Sequence, residues 1–181
     1  HLRYYSLKPL QTLFSLVGMS MIDAERISAA GGSIRAYAKK GHHPPSDRLK
    51  DLLAAEDKKG IYDDNAFQPL SEKIKKIKLD LVELLIKCKK EGKRIVGIGA
   101  PGRSNTLLNY THIDYSLLDY AVEKKGSPKI GLFTPGTHIP IVDEEILYTD
   151  QPEYGLLLSW HISDELIKKL RDSGFKGKFI V

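Results

Sequence analysis

The chain has 181 residues, which is enough for one domain of ordinary size or for one domain with part of another. Hydrophobic residues make up 41% of it and charged residues 28%, and no apolar run approaches the roughly 20 residues that a membrane-spanning helix needs, so a soluble globular class without a membrane partner is favoured. Cys88 is the only cysteine in the sequence, which excludes an internal disulfide and a cysteine zinc cage and favours a reducing, cytoplasmic compartment.

The net charge of +5 comes from 28 Lys and Arg against 23 Asp and Glu. Many of the lysines lie between residues 73 and 93, where a helix would carry them on its solvated face. No basic patch with interleaved aromatic residues of the RNA-binding type is present. A nucleic-acid partner is therefore not expected.

A helix and two strands are predicted for the first 40 residues. Residues 19–27 and 33–38 predict a hairpin around the glycines at 31 and 32, and Ser6 can cap a helix before it. A helix and a hairpin bury too little surface for a core of their own, so residues 1–40 are expected to end a larger α/β unit. Since the chain starts at His1 rather than at Met, we expect it to be a fragment. The helix is predicted by apolar residues at helical spacing: Leu7, Leu10, Leu13, Phe14 and Val17.

Residues 41–66 are predicted to be a linker. The break KGHHPP at 40–45 precedes a short helix at 46–56 and a polar turn at 58–65. His42 and His43 could ligate a metal, but no carboxylate or cysteine stands at ligand spacing. No metal site is predicted in this chain.

A long helix, a strand, a glycine-rich turn and a second helix follow. Residues 69–90 predict an amphipathic helix, 94–98 a buried strand and 103–110 the next helix, with Gly97, Gly99 and Gly102 between the last two. This order presents backbone N–H groups and a positive helix terminus to an anion. A tight turn that binds no ligand is the competing interpretation.

Three polar residues of the second helix's first turn favour a ligand. Arg103 offers a cation, Ser104 a hydroxyl and Asn105 an amide, although Ser104 or Asn105 could equally be a plain N-cap. The pattern is G-x-G-A-P-G rather than the dinucleotide pattern G-x-G-x-x-G, and no Gly-Lys-Ser/Thr follows. The glycines indicate an anion or nucleotide site without defining which.

The rest of the chain continues the alternation of strands and helices. Strands are predicted at 117–122, 154–159 and 178–181, a helix capped by Ser163 at 163–172, and a helical turn at 143–147. The fold class is therefore α/β, a Rossmann-like and mostly parallel sheet with helices on both faces, preceded by the helix-and-hairpin remnant of a second Rossmann-type domain.

Acidic and ring side chains follow several of these strands. Asp119 or Glu123 could bind ribose hydroxyls, but an exposed acid is the preferred interpretation. The GAPGRSN turn, the PGTHIP loop and the SWHI segment are expected at one edge of the sheet. There His138 and His161 could be acid–base groups or ordinary packing residues, and Trp160 could stack on a sugar or base.

Three motifs together resemble one family, the sugar-nucleotide type of S-adenosyl-L-methionine (SAM)-dependent C-methyltransferases. GIGAPGRSNTLLN, FTPGTHIPI and LLLSWHISDEL are similar to the family forms G-x-GAPAKGNTLLN, PG-x-x-IPV and LLL-x-W-N. The segments HLRYYSLKPLQTLF and GGSIRAYA also resemble the end of the family's SAM domain. The resemblance covers nearly the whole chain, in order.

The resemblance implies three parts: a cysteine-rich zinc module, a SAM-binding domain and a second Rossmann-like domain. Residues 1–40 would end the SAM domain and 67–181 would form the substrate-binding domain, so that the zinc and most of the SAM site belong to missing N-terminal domains. Such enzymes methylate a sugar carbon next to a keto group. In the matching motif, His1 is the candidate acid–base or enolate-orienting group.

The resemblance also implies a nucleotide-sugar partner for the C-terminal domain. The positions that match its motifs are Gly97, Gly99, Pro101, Arg103, Ser104 and Asn105, with His138 and Trp160 as further carry-overs. Arg103 replaces the motif's Lys, Ser104 its Gly, and His161 the Asn after Trp160, which affects substrate identity more than fold. A fragment of this kind is expected to be inactive alone.

Two other functions stay open on the residues alone. One is a free-standing NAD(P)- or nucleotide-binding protein of Rossmann-like fold. The other is a non-catalytic interaction domain whose glycine turn serves only tight packing.

Overall fold

A computed structural model describes residues 3–29 and 32–181 of the chain. The chain forms two units, His1–Ser71 and Glu72–Val181, and the boundary between them falls within the first turn of a long helix. The predicted boundaries at 40 and 66 differ from this division and stay a prediction. The predicted catalytic residue, His1, lies outside the described residues.

The first unit contains two helices and a hairpin. Its elements are α1 (Leu7–Ser15), β1 (Met19–Ile27), β2 (Ser33–Lys40) and α2 (Asp47–Lys58), and the two strands pair antiparallel. The helix and the hairpin predicted within residues 1–40 are confirmed.

Helix α2 supplies much of the apolar surface that the helix and hairpin lack. Leu49 of α2 is fully buried beside Leu7, Met21 and Ala24. Although α2 lies in the predicted linker, it is therefore part of this core. Its N-terminus is capped by Ser46, whose hydroxyl accepts the Leu49 N–H at 3.1 Å.

A carboxylate of β1 binds the start of α2. Asp23 accepts the Ser46 hydroxyl at 2.6 Å and the Arg48 Nε–H at 3.0 Å. The Arg48 hydrogen bond, followed by the Ser46 bond, lowers the pKa of Asp23 to about 2. The ionised form of Asp23 is therefore favoured in the folded unit.

We expect Asp23 to make the stability of the first unit depend on pH. Its folded pKa lies below the ordinary 3.8, so its contribution is present above about pH 4 and is lost as the pH falls towards 2. Thermal unfolding of the wild type and Asp23→Asn should differ most at pH 5, and the difference should shrink by pH 2.5. A gap of constant size across this range, with Asp51→Asn as the control, would contradict the assignment.

The second unit alternates strands and helices after a long first helix. That helix, α3 (Gln68–Lys90), confirms the predicted amphipathic segment and buries Leu85 and Cys88. The elements that follow are β3 (Ile95–Ile98), α4 (Gly102–Thr111), β4 (Ala121–Glu123), β5 (Ile141–Asp143), α5 (Ile146–Asp150), β6 (Tyr154–Leu157), a 3₁₀ helix (Trp160–Ile162), α6 (Ser163–Asp172) and β7 (Lys178–Ile180).

The strands form one parallel sheet of five within the described residues. Their order is β5-β4-β3-β6-β7, and each neighbouring pair is parallel. The chain lays β4 and β5 on one side of β3 and then crosses to β6 and β7 on the other side. The point where the order reverses lies between β3 and β6, and a ligand crevice forms at such a point.

Both faces of the sheet are covered by helices, as predicted. Ile95 of β3 packs with Leu85 and Cys88 of α3 and Leu108 of α4 on one face. The side chains of β3 that point the other way, Val96 and Ile98, pack on the opposite face. Their partners there come from α5, α6 and the segment after α6: Leu147, Leu170 and Phe175. The α/β, Rossmann-like fold class is confirmed.

Two predicted strand boundaries and one predicted helix cap in this unit are wrong, while the predicted bounds of α6 are confirmed. The strand predicted at 117–122 begins only at Ala121, because Asp114 accepts the Leu117 and Leu118 N–H groups and forms a turn there. Strand β6 ends at Leu157 rather than at 159. Ser163 is the first residue of α6 and not its N-cap, since the 3₁₀ helix runs directly into α6.

Strand β5 was not predicted, and residues 128–140 and 143–147 were interpreted as a loop and a helical turn. Only the three residues Ile141–Asp143 pair with β4, which is too short for a periodic pattern. The loop before β5 covers its outer edge, with an antiparallel bridge between Phe133 and Pro140. The helical turn begins later, as α5 at Ile146.

Asp119 is an ion-paired residue rather than an exposed acid. It precedes β4 and binds Lys89 Nζ at 2.6 Å and Arg94 Nε at 2.9 Å. Arg94 also binds Asp150 at 2.6 Å, and these two bonds raise the pKa of Arg94. The cluster closes the amino edge of the sheet, so Asp119 does not lie at a strand end where a ribose would bind.

None of the described helices is long and apolar enough to span a membrane.

Candidate functional site

The glycine turn lies at the carboxyl end of β3, beside the point where the strand order reverses. Gly99 has a φ of +80°, a conformation that residues with a Cβ rarely adopt. A Cβ on Gly99 would also lie 2.5 Å from the Ser159 Oγ. The turn after β3 therefore packs directly against the end of β6, and this close approach requires glycine.

Close packing also explains the glycine at position 97. It is buried within β3, and a Cβ there would lie 2.8 Å from the Leu158 Cδ1 and 3.1 Å from the Ala121 Cβ. The missing side chain lets the chain fit between β6 and the start of β4. The predicted contact of Gly97 with a ligand is not needed to explain this glycine and stays a prediction.

The first turn of α4 exposes a cation. Pro101 is the N-cap residue, Gly102 and Arg103 are exposed, and Asn105 is half-buried. The N–H groups of Gly102 and Arg103 point out of the helix, as the first donors of any α-helix do. Together with the guanidinium they form the positive end of α4.

Ser104 is fully buried, and its hydroxyl donates to the Pro101 carbonyl at 2.7 Å. Because this bond uses the side chain inside the helix start, we leave Ser104 out of the ligand contacts proposed below. The replacement of the motif's Gly by Ser therefore adds a bond to the turn and no exposed hydroxyl.

The sequence favours an exposed acid at Glu123, but the structure places its carboxylate against the turn. Glu123 closes β4, and its Oε1 accepts the Ala100 backbone N–H at 2.8 Å. Lys129 Nζ lies 3.3 Å from the same oxygen and donates to the Ala100 carbonyl at 2.7 Å. The Glu123 side chain is only 15% exposed. An acid directly after a buried strand was the available signal, but its partner was not visible in the sequence.

The segment after β6 places an aromatic residue, Trp160, at the same carboxyl edge of the sheet as the glycine turn. Trp160 opens the 3₁₀ helix and is 40% exposed, and the neighbouring His161 is exposed as well. Since Ser159 contacts Gly99, the structure brings the SWHI segment and the GAPGRSN turn together.

The PGTHIP loop lies elsewhere, so its predicted place at the same edge is wrong. It leads directly into the amino end of β5, where the Pro140 carbonyl accepts the Ala121 N–H. Asn109, in the second half of α4, donates to the Pro135 carbonyl at 3.0 Å and fixes the loop there. His138 is exposed on this loop with a φ of +53° and is not beside the glycine turn.

Among the described residues, no group of three His, Cys, Asp or Glu side chains is arranged to hold a metal ion. The resemblance implies zinc only in N-terminal domains, and this stays a prediction.

The parallel sheet with this turn defines a Rossmann-like domain, and a comparison with known families identifies which one. Residues 28–181 match the family described as the C-methyltransferase C-terminal domain, and the chain belongs to that family. The predicted family is thus confirmed.

A named relative is the C-methyltransferase NovU of Streptomyces niveus, which is 28% identical over 186 aligned residues. The alignment covers 100% of this chain and 44% of NovU, so the chain spans less than half the length of that relative.

Proposed function

We propose that the chain is the C-terminal part of a SAM-dependent C-methyltransferase whose domain 67–181 binds a nucleotide sugar. The proposed substrate carries a keto-deoxysugar, and the methyl group goes to a carbon next to the keto group. The family supports the C-methyltransferase class, and the length of NovU supports missing N-terminal domains as further partners. Deoxysugar biosynthesis in the cytoplasm is the proposed setting, and the chain alone is proposed to be inactive.

The observation that supports the nucleotide-sugar site is the position of the turn. Gly99, Pro101 and Arg103 follow β3 where the strand order reverses, which is where parallel sheets bind ligands. The positive end of α4 suits a diphosphate, because the exposed residues Gly102 and Arg103 supply the first N–H groups of the helix and a guanidinium there. Trp160, at the end of the neighbouring strand β6, offers a face on which a base or sugar can stack.

The proposed chemistry needs a base near the sugar. The base takes the proton from the carbon next to the keto group, and that carbon then forms the new bond to the methyl group. His1, outside the described residues, is our candidate for the base or for a group that orients the enolate. When bound, SAM would supply the methyl group.

We assign no contact with SAM to the described residues. In a nucleotide-binding sheet, a carboxylate at the end of the second strand binds the ribose hydroxyls. Here that carboxylate is Glu123, at the end of β4, and it is already bonded to Ala100 and Lys129. The proposed SAM site therefore stays mostly outside this chain.

Titration calorimetry of the 181-residue chain tests the proposed site. We expect one or more of the common nucleoside diphosphates to bind with a dissociation constant in the micromolar range, and SAM and NAD⁺ to give flat titrations. Binding of NAD⁺ without any nucleoside diphosphate would favour the free-standing dinucleotide-binding protein. Flat titrations with every nucleotide would contradict the proposal and favour an interaction domain.

A further inference from the structure

The glycine turn already holds a negative charge of the chain's own. The Ala100 N–H, which belongs to the turn between Gly99 and Pro101, donates to the Glu123 Oε1 at 2.8 Å. The amide of such a turn is one of the groups that a phosphate would use. In this protein a carboxylate occupies that donor.

Lys129 keeps the carboxylate in place. Its ammonium bridges the Glu123 carboxylate, at 3.3 Å, and the Ala100 carbonyl, at 2.7 Å. Glu123 and Lys129 therefore bind the backbone N–H and the backbone carbonyl of Ala100, respectively. Because the Glu123 side chain is largely buried, water screens its charge only in part. The carboxylate is thus a fixed feature of the turn rather than a mobile surface group.

Two consequences for a ligand follow from this charge. A phosphate group at the Ala100 amide would lie against a carboxylate, and like charges at that separation repel each other. A ribose hydroxyl group would have to compete with Ala100 and Lys129 for the same oxygen. Both interactions that a dinucleotide makes at a glycine turn are thereby weakened.

We propose that Glu123 is a specificity-determining residue that closes the Ala100 amide to phosphate. A diphosphate then binds only at the first turn of α4, at Gly102 and Arg103. The inference rests on the proposed function for the nature of the ligand. It adds to that function by assigning the phosphate contacts to the end of the turn that begins α4. It also predicts that this turn, despite its glycines at 97, 99 and 102, does not select a dinucleotide.

Amide-resolved NMR titration tests this assignment in the whole chain, with uridine diphosphate and inorganic pyrophosphate as probes. In the wild type, the Gly102 and Arg103 amides should shift on addition of either probe and the Ala100 amide should not. In Glu123→Ala, the Ala100 amide should shift as well. Pyrophosphate should also bind about ten-fold more tightly to Glu123→Gln than to the wild type, because the repulsion is removed.

Glu165→Gln is the matched control, since it removes an exposed carboxylate from the start of α6 and should change the affinity by less than about two-fold. A shift of the Ala100 amide in the wild type would overturn the inference. So would an affinity for pyrophosphate that stays the same or falls in Glu123→Gln. The dispersion of each variant's spectrum shows whether it is folded.

The experiment separates this inference from the proposed function. If the wild type binds neither probe but Glu123→Ala binds pyrophosphate through Ala100, the proposed function fails and the role of Glu123 stands. If the wild type binds at Gly102 and Arg103 and Glu123→Ala gives the same pattern, the proposed function stands and the role of Glu123 is overturned. Absence of binding in both proteins overturns both.

Discussion

Replacement of Arg103 by alanine is expected to weaken the binding of a nucleoside diphosphate by about ten- to one-hundred-fold, the value of a hydrogen bond to a charged group. The guanidinium is exposed at the first turn of α4, where the helix end adds its own partial positive charge. Its removal deletes a donor without disturbing a buried contact, so the fold should be unaffected. Titration calorimetry against the nucleotide that binds the wild type measures the effect.

Two further variants show whether charge or geometry matters at position 103. Arg103→Lys should recover part of the lost affinity, because it restores the charge but not the two-pronged guanidinium. Lys168→Ala, which removes an exposed cation from α6, should leave the affinity within about two-fold of the wild type. Wild-type affinity in Arg103→Ala would show that Arg103 does not contact the nucleotide and would leave Trp160 as the candidate contact.

Local patterns were sufficient to predict most of the second unit. The apolar spacing of α3, the buried strand β3 and the glycines before α4 gave these elements to within about one residue of their observed ends. The missed strand depends on a contact distant in sequence, since β5 exists because it pairs with β4. The error at 117–118 is local: the Asp114 carbonyl accepts the Leu117 and Leu118 N–H groups and forms a turn that the apolar pattern did not reveal.

The candidate site divides in the same way. Gly99 and Arg103 were found because a turn and a helix start are local features. The partners of Glu123 were not, since Ala100 is 23 residues away from it along the chain. His138 was placed at the wrong edge because motif order alone does not show whether a loop follows one strand or precedes the next. In a parallel sheet those positions lie at opposite edges.

The second large effect that we expect is on the stability of helix α1 in the first unit. It depends on the buried carboxylate of Glu56, at the end of the helix predicted in the linker. Glu56 is 5% exposed, and its Oε2 accepts the Leu7 backbone N–H at 2.9 Å and the Tyr62 hydroxyl. Leu7 is the first residue of α1, and the side chain of the N-cap residue Ser6 does not cap the helix. Glu56 therefore performs the capping that Ser6 was expected to provide.

We expect Glu56→Ala to destabilise α1 by about 2 to 3 kcal/mol, because it leaves the buried Leu7 N–H and the half-buried Tyr62 hydroxyl without this acceptor. Hydrogen exchange of peptides from α1 should accelerate by about one-hundred-fold, while peptides from α6 in the second unit keep their wild-type rates. Glu56→Gln retains an acceptor oxygen and should lose much less, and Asp51→Ala, at an exposed position of α2, should have almost no effect. Equal exchange in Glu56→Ala and Asp51→Ala would show that Glu56 does not hold α1.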